Sequence, residues 1–147
     1  MKSPDKFEDY LSRGVIKKQR ADLSRKNFLI KTSEISKKDI DNRVKKEGFT
    51  DINANALIKE CYDLIMQLIR AKMFSLGYSA YGEGAHEAEV SFLRKLNISE
   101  KDVVFLNYLR FIRNGISYYG RIFSKDDASE VFIFLNKLLP ILRRSLE

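Results

Sequence analysis

The segment ANALIKECYDLIMQLIRAKMFSL, residues Ala54 to Leu76, gives the clearest structural prediction in this chain. Apolar residues recur in it at the three- and four-residue spacing of one helix face, and further apolar residues widen that face. The inner set is Leu57, Cys61, Leu64, Leu68 and Phe74, flanked by Ile58, Ile65, Ile69 and Met73. We therefore predict a long helix whose apolar side is buried.

Helical patterns continue on both sides of this segment. They cover a short segment after Ser3, then Ala21 to Lys46, His86 to Leu96, a segment opening at Ser99, and Ser124 to about Arg144. The serines at positions 3, 99 and 124 are typical helix-capping residues. Residues 15–20 are expected to form a basic connection and residues 79–84 a turn, and no alternating strand pattern is present. The sequence predicts a single all-α domain over residues 1–147, an up-and-down helical bundle of five to six helices.

The charge of the chain is unevenly distributed. The formal net charge is +7, and residues 1–48 hold 14 Lys and Arg against 8 Asp and Glu, whereas the remainder holds 13 against 12. A basic excess favours polyanionic partners such as RNA, but a solvated, charged helix surface is the commoner explanation, and both stay open.

Other features narrow the class of protein. No apolar run reaches the roughly 18 residues of a membrane span, and the first ten residues contain no apolar signal-peptide core. The single cysteine, Cys61, is compatible with a reducing cytoplasm and is expected to be an inert core thiol. We therefore expect a cytoplasmic protein without a membrane segment.

Motifs for cofactor or metal chemistry are scarce. The chain has one histidine, His86, so a histidine-rich metal site within one chain is excluded, and no glycine-rich phosphate loop is present. We therefore predict neither a metal nor a cofactor. His86 lies at a helix start, where we expect it to pack against a neighbouring helix and bond to backbone; a general base is the functional alternative.

The segment LRFIRNGISYYG, residues 109–120, carries the best candidate site. Residues four apart are neighbours on a helix, so Arg110, Asn114 and Tyr118 form one strip. Arginine suits bidentate phosphate binding, and tyrosine can stack on a base. We predict Arg113, Asn114 and Tyr118 as the centre of the site and Arg110, Ser117, Tyr119 and Arg121 as ligand-binding residues. The alternative is an ordinary amphipathic helix with extended arginines and packed tyrosines.

One glycine lies inside this helix. Gly115 costs roughly 1 kcal/mol relative to alanine. Its missing side chain is expected to let a second helix or a ligand approach closely, which also suggests a dimer contact there.

These features resemble the HEPN domains (higher eukaryotes and prokaryotes nucleotide-binding). Arg113-Asn114-x-x-x-Tyr118 is similar to the family signature, in which an arginine, a polar residue and three further residues precede a histidine. By this resemblance Arg113, Asn114 and Tyr118 are the candidate catalytic residues of a degenerate motif. Three more segments look similar: Phe7-Glu8-Asp9-Tyr10-Leu11, Phe74-Ser75-Leu76-Gly77-Tyr78, and Gly84-Ala85-His86 before a helix with Phe92-Leu93. The resemblance covers nearly the whole chain.

The resemblance implies a helical bundle that forms a homodimer, with a cleft where the signature helices of two protomers meet. Active members are metal-independent endoribonucleases, in which arginine and histidine promote attack of the ribose 2′-hydroxyl on the adjacent phosphate. Other members pair with small nucleotidyltransferases in toxin–antitoxin systems or bind ligands without catalysis.

The chain departs from the signature at Tyr118, where the family has its histidine. Imidazole titrates near pH 6.5 and phenol near 10, so a phenol is a poor base at neutral pH, and losing such a group costs about 10²–10⁴ in rate. We therefore expect a dimeric module that binds RNA, a nucleotide or a partner protein through the Arg113–Tyr118 helix without efficient catalysis. Two alternatives remain: an endoribonuclease in which Tyr118 or Tyr119 supports Arg113, and a partner of a nucleotidyltransferase that modifies one of these tyrosines.

Overall fold

The computed structural model describes residues 2–147, so that only Met1 of the predicted domain lies outside it. The helices of this part are α1 (Phe7–Ser12), α2 (Leu23–Glu47), α3 (Ala54–Ser75), α4 (Ala85–Ser91), α5 (Glu100–Tyr119) and α6 (Lys125–Ser145). A 3₁₀ helix, Phe92–Leu96, continues α4. The chain is thus mostly helical, as predicted. None of the helices in residues 2–147 has both the length and the apolar character needed to span a bilayer.

Helix α3 is the centre of the bundle. It packs against α2, α5 and α6, and its residues Leu57, Leu64 and Leu68 are almost fully buried. Cys61 lies in the same core, where burial raises the pKa of its thiol to about 12 and keeps it protonated. The buried face predicted for this segment is therefore confirmed, except that Phe74, near the helix end, is only half-buried.

Two of the three predicted caps are confirmed. The Ser99 hydroxyl accepts a hydrogen bond from the Asp102 N–H at 3.3 Å, and Ser124 and Asp127 form a reciprocal capping box. The prediction that Ser3 caps a helix is wrong. Helix α1 begins at Phe7, and the Ser3 hydroxyl instead donates to the carboxylate of Glu100.

A small sheet corrects the prediction that the chain contains no strands. Strands β1 (Ile16–Lys18) and β2 (Tyr78–Ala80) pair antiparallel, with Ile16 opposite Ala80. Three residues are too few to show an alternating pattern, which is why these segments were expected to be a connection and a turn. The sheet anchors the loop that leads into α4 and so sets where His86 lies.

Candidate functional site

A cleft of about 340 Å³ opens between α3, α4 and α5. Its lining residues are Tyr62, Asp63, Gln67 and Arg70 from α3, His86 from α4, and Arg113, Asn114 and Tyr118 from α5. We call it the Arg113 cleft. It holds all three residues predicted as the centre of the site.

Arg113 is held in place through two of its guanidinium nitrogens. Its Nε donates to Asp63 Oδ1 at 3.3 Å, and its Nη1 donates to Ser117 Oγ at 3.3 Å. Within residues 2–147 no acceptor bonds its Nη2. The side chain is therefore oriented by an acid while part of its donor set stays open to an anion.

His86 differs from its expected role as a packed imidazole bonded to backbone. Its side chain is 63% exposed, and its Nδ1 lies 3.0 Å from Glu89 Oε1 and 3.2 Å from Arg70 Nη2. Arg70 Nε in turn donates to Glu89 Oε2 at 2.7 Å, and the Glu89 side chain is only 7% exposed. The buried carboxylate and the arginine engage Nδ1, and Nε2 has no hydrogen-bond partner within residues 2–147.

The sequence contained one signal for this arrangement. His86 and Glu89 are three residues apart and so share a face of α4. Nothing in the sequence, however, places that face beside Arg113, because the contact depends on how α4 packs against α3 and α5.

Tyr62 was not predicted as a site residue. The residue is 4% exposed, yet its hydroxyl has no hydrogen-bond partner within residues 2–147, and the same holds for Oε1 of Gln67. Burial raises the pKa of the Tyr62 hydroxyl above its usual range, so it remains a neutral donor. A buried polar group without a partner costs about 1–3 kcal/mol, which a ligand in the cleft can recover.

Arg110, predicted to bind ligand, does not line the Arg113 cleft. Its Nε donates to Asn107 Oδ1 at 3.0 Å, and its Nη2 lies 3.7 Å from Glu87 Oε2. Its guanidinium also lies 4.5 Å from the centre of the Phe111 ring. Arg110 therefore does not join Asn114 and Tyr118 in the cleft, although their helical spacing predicted one continuous group, because its side chain contacts structural partners instead.

The other predicted ligand-binding residues lie at the end of α5, outside the lining of the cleft. Ser117 accepts from Arg113 and so supports it, while Tyr119 is exposed. Arg121 packs on Gly115: a Cβ on this glycine would lie 2.9 Å from Arg121 Cδ, and the Arg121 N–H donates to the Gly115 carbonyl at 3.2 Å. The space beside Gly115 is thus filled by Arg121 of the same chain, and not by the second helix or the ligand that the sequence led us to expect.

The cleft combines two cations, two nearby acids and one imidazole. Arg70 pairs with Glu89 and Arg113 pairs with Asp63, so the charges nearly balance. No three His, Cys, Asp or Glu side chains in the described part of the chain converge as a metal site would require. Arg113 can hold a phosphate, the Tyr62 hydroxyl is a further donor among the lining residues, and His86 can exchange a proton.

No protein-family model, curated protein or solved structure matches this chain.

Proposed function

We propose that the Arg113 cleft binds the ribose phosphate of RNA or of a nucleotide, as part of a HEPN-like module. The observation that carries this proposal is the buried Tyr62 hydroxyl without a partner in the cleft that Arg113 lines. Phosphate oxygens accept hydrogen bonds from the Tyr62 hydroxyl and from the Arg113 guanidinium. The unpaired Oε1 of Gln67 accepts a hydrogen bond from a ribose hydroxyl.

The charge distribution supports a polyanion over an uncharged ligand. The net charge is +7, and most of the excess lies in residues 1–48. Such an excess raises the rate of encounter with RNA, while the directed contacts belong to the cleft.

Binding of a labelled single-stranded RNA, followed by fluorescence anisotropy at fixed salt, tests the proposal. We expect Arg113→Ala to weaken binding on the order of tenfold or more, because it removes a charge-assisted hydrogen bond. The matched control is Arg144→Ala, which removes the same charge from an exposed position on α6. Equal losses in the two variants would show that binding reflects overall charge and would refute a role for the cleft.

A second candidate function, metal-independent endoribonuclease, is favoured by the presence of His86 in the same cleft as Arg113. In this reaction Nε2 of the imidazole takes the proton of a ribose 2′-hydroxyl, whose oxygen bonds to the adjacent phosphorus. The bond from phosphorus to the 5′-oxygen breaks, and that oxygen leaves as a hydroxyl after taking the proton back from the imidazolium. The products are a 2′,3′-cyclic phosphate and a 5′-hydroxyl, and Arg113 would stabilise the charge on the phosphate.

Incubation of single-stranded RNA with the protein in EDTA decides between the two candidates. If His86 carries the proton, His86→Ala lowers the cleavage rate by about 10²–10⁴, whereas Tyr118→Phe leaves most of it. If the unmodified protein binds RNA but yields no cyclic phosphate, the binding function stands alone.

The proposal includes a homodimer in which α5 is the shared helix. Apolar side chains stay exposed on α5 and just after it, namely Tyr108, Phe111, Tyr118, Tyr119 and Ile122. Burial of these side chains against a second copy would stabilise the pair and bring two Arg113 clefts close together.

A further inference from the structure

A second cleft, of about 180 Å³, adjoins the Arg113 cleft. Met73, Phe74, Tyr78 and Tyr81 provide much of its wall, and we call it the aromatic cleft. Arg70 and His86 line both clefts. One ligand can therefore occupy both, with an anionic part near Arg113 and a flat apolar part near Tyr81.

The ring of Tyr81 is accessible and held in place. It is 48% exposed, its hydroxyl donates to Gln19 Oε1 at 3.0 Å, and Lys17 Nζ lies 5.4 Å from the ring centre. A ring fixed in this way loses little conformational entropy when a second ring stacks on it.

The wall of the aromatic cleft also carries a planar cation. The guanidinium of Arg25 lies 5.4 Å from the centre of the Phe74 ring, and both residues line the aromatic cleft. Nucleobases stack both on aromatic side chains and on guanidinium planes. An aliphatic ligand would use neither property and would desolvate Arg25 without compensation.

We propose that the aromatic cleft binds the nucleobase of the ligand whose ribose phosphate lies in the Arg113 cleft. This inference rests on the proposed function and names the ligand class as a ribose phosphate that carries a base. Stacking discriminates weakly between bases, so the cleft accepts single-stranded RNA of varied sequence. A base paired within a duplex is stacked between its neighbours and does not reach Tyr81.

The test compares three probes at fixed salt: a labelled adenosine hexanucleotide, an abasic ribose-phosphate oligomer of the same length, and adenosine monophosphate as competitor. The hexanucleotide is expected to bind on the order of tenfold more tightly than the abasic oligomer. Tyr81→Ala removes this difference and leaves binding of the abasic oligomer unchanged. Tyr81→Phe, which keeps the ring, retains the difference. The matched control is Phe28→Ala, which removes an exposed ring from α2, on another surface.

Each outcome separates this inference from the proposed function. If both oligomers bind the unmodified protein equally well, or if Tyr81→Ala weakens both to the same extent, the base site is wrong and phosphate binding stands. If neither oligomer binds and Arg113→Ala has no effect, both proposals fail. If the monophosphate competes at concentrations comparable to those of the hexanucleotide, the ligand is a free nucleotide. If it does not compete at those concentrations, the ligand is RNA.

Discussion

Arg113 and His86 line one cleft from different helices, but only the place of Arg113 in the site could be predicted from the sequence. The grouping of Arg113, Asn114 and Tyr118 was predictable because residues within one helix have fixed relative positions. The contribution of His86 and Tyr62 was not, because it depends on the packing of α3 and α4 against α5. The pairing of Arg110 with Glu87 was missed for the same reason, since Glu87 lies on α4.

At Tyr62 we predict that one substitution raises the stability of the fold and weakens ligand binding. Tyr62→Phe removes a buried hydroxyl without a partner, so the free energy of unfolding should rise by about 1 kcal/mol while RNA binding weakens. Urea denaturation and anisotropy measure the two effects.

The matched control is Tyr10→Phe. The Tyr10 hydroxyl donates to Glu87 Oε1 at 2.8 Å and accepts from the Asp5 N–H at 3.1 Å. This variant should lose about 1–2 kcal/mol of stability. A loss of similar size for Tyr62→Phe would mean that its hydroxyl has a structural partner, and it would remove the main support for the ligand site.

Among the elements, the helices were predictable and the sheet was not. The caps at Ser99 and Ser124 act within three residues, so a local pattern suffices to find them. Strands β1 and β2 join segments about sixty residues apart, and their formation depends on the long-range approach of Gln19 to Gly77.

Gly77 is the position on which the sheet depends most. Its φ of +81° lies in the left-handed region, and the Gln19 carbonyl occupies the space that a Cβ would fill. Gly77→Ala should therefore cost at least about 2 kcal/mol in the free energy of unfolding, measured by thermal denaturation.

Gly14→Ala is the control for Gly77→Ala. Gly14 has a similar φ of +77° but open space around its Cβ position, so only the backbone cost of about 1–2 kcal/mol applies. Equal losses for the two variants would contradict the close approach of Gln19.

For the whole molecule, the ion pair between Arg94 and Glu100 holds residues 3–5 of the N-terminal segment through hydrogen bonds. Arg94 donates to the carbonyls of Pro4 and Asp5 and pairs with Glu100, which also accepts from Ser3. The hydrogen bond from Arg94 is the main reason why the pKa of Glu100 is lowered from 4.5 to about 2. The hydrogen bond from Ser3 lowers this pKa further.

This pKa shift predicts acid sensitivity. Because the folded-state pKa is lowered, the stabilisation is complete above pH 4.5 and is lost as the pH falls towards 2. Glu100→Gln should remove at most about 1 kcal/mol at neutral pH, since the pair is partly exposed, and should reduce the loss of stability over that interval. Thermal melts across the pH range measure it; an unchanged pH profile would contradict the role of this pair.

Assembly gives the last prediction at this scale. If α5 forms the dimer contact, light scattering should give twice the 17.1 kDa of one chain. The double variant with Phe111→Glu and Ile122→Glu should reduce the mass to that of one chain without unfolding it, because both side chains are exposed in the single copy. A monomer at micromolar concentration before any substitution would refute the contact.

The pairing of Arg113 with Asp63 has a consequence for selectivity. Any anion that binds this guanidinium comes to lie beside a resident carboxylate of like charge. An anion that makes a single contact gains little against this repulsion, whereas a phosphodiester compensates with several simultaneous hydrogen bonds. The acid thus favours anions with several acceptor atoms, and Asp63→Asn should tighten phosphate binding while making it less discriminating.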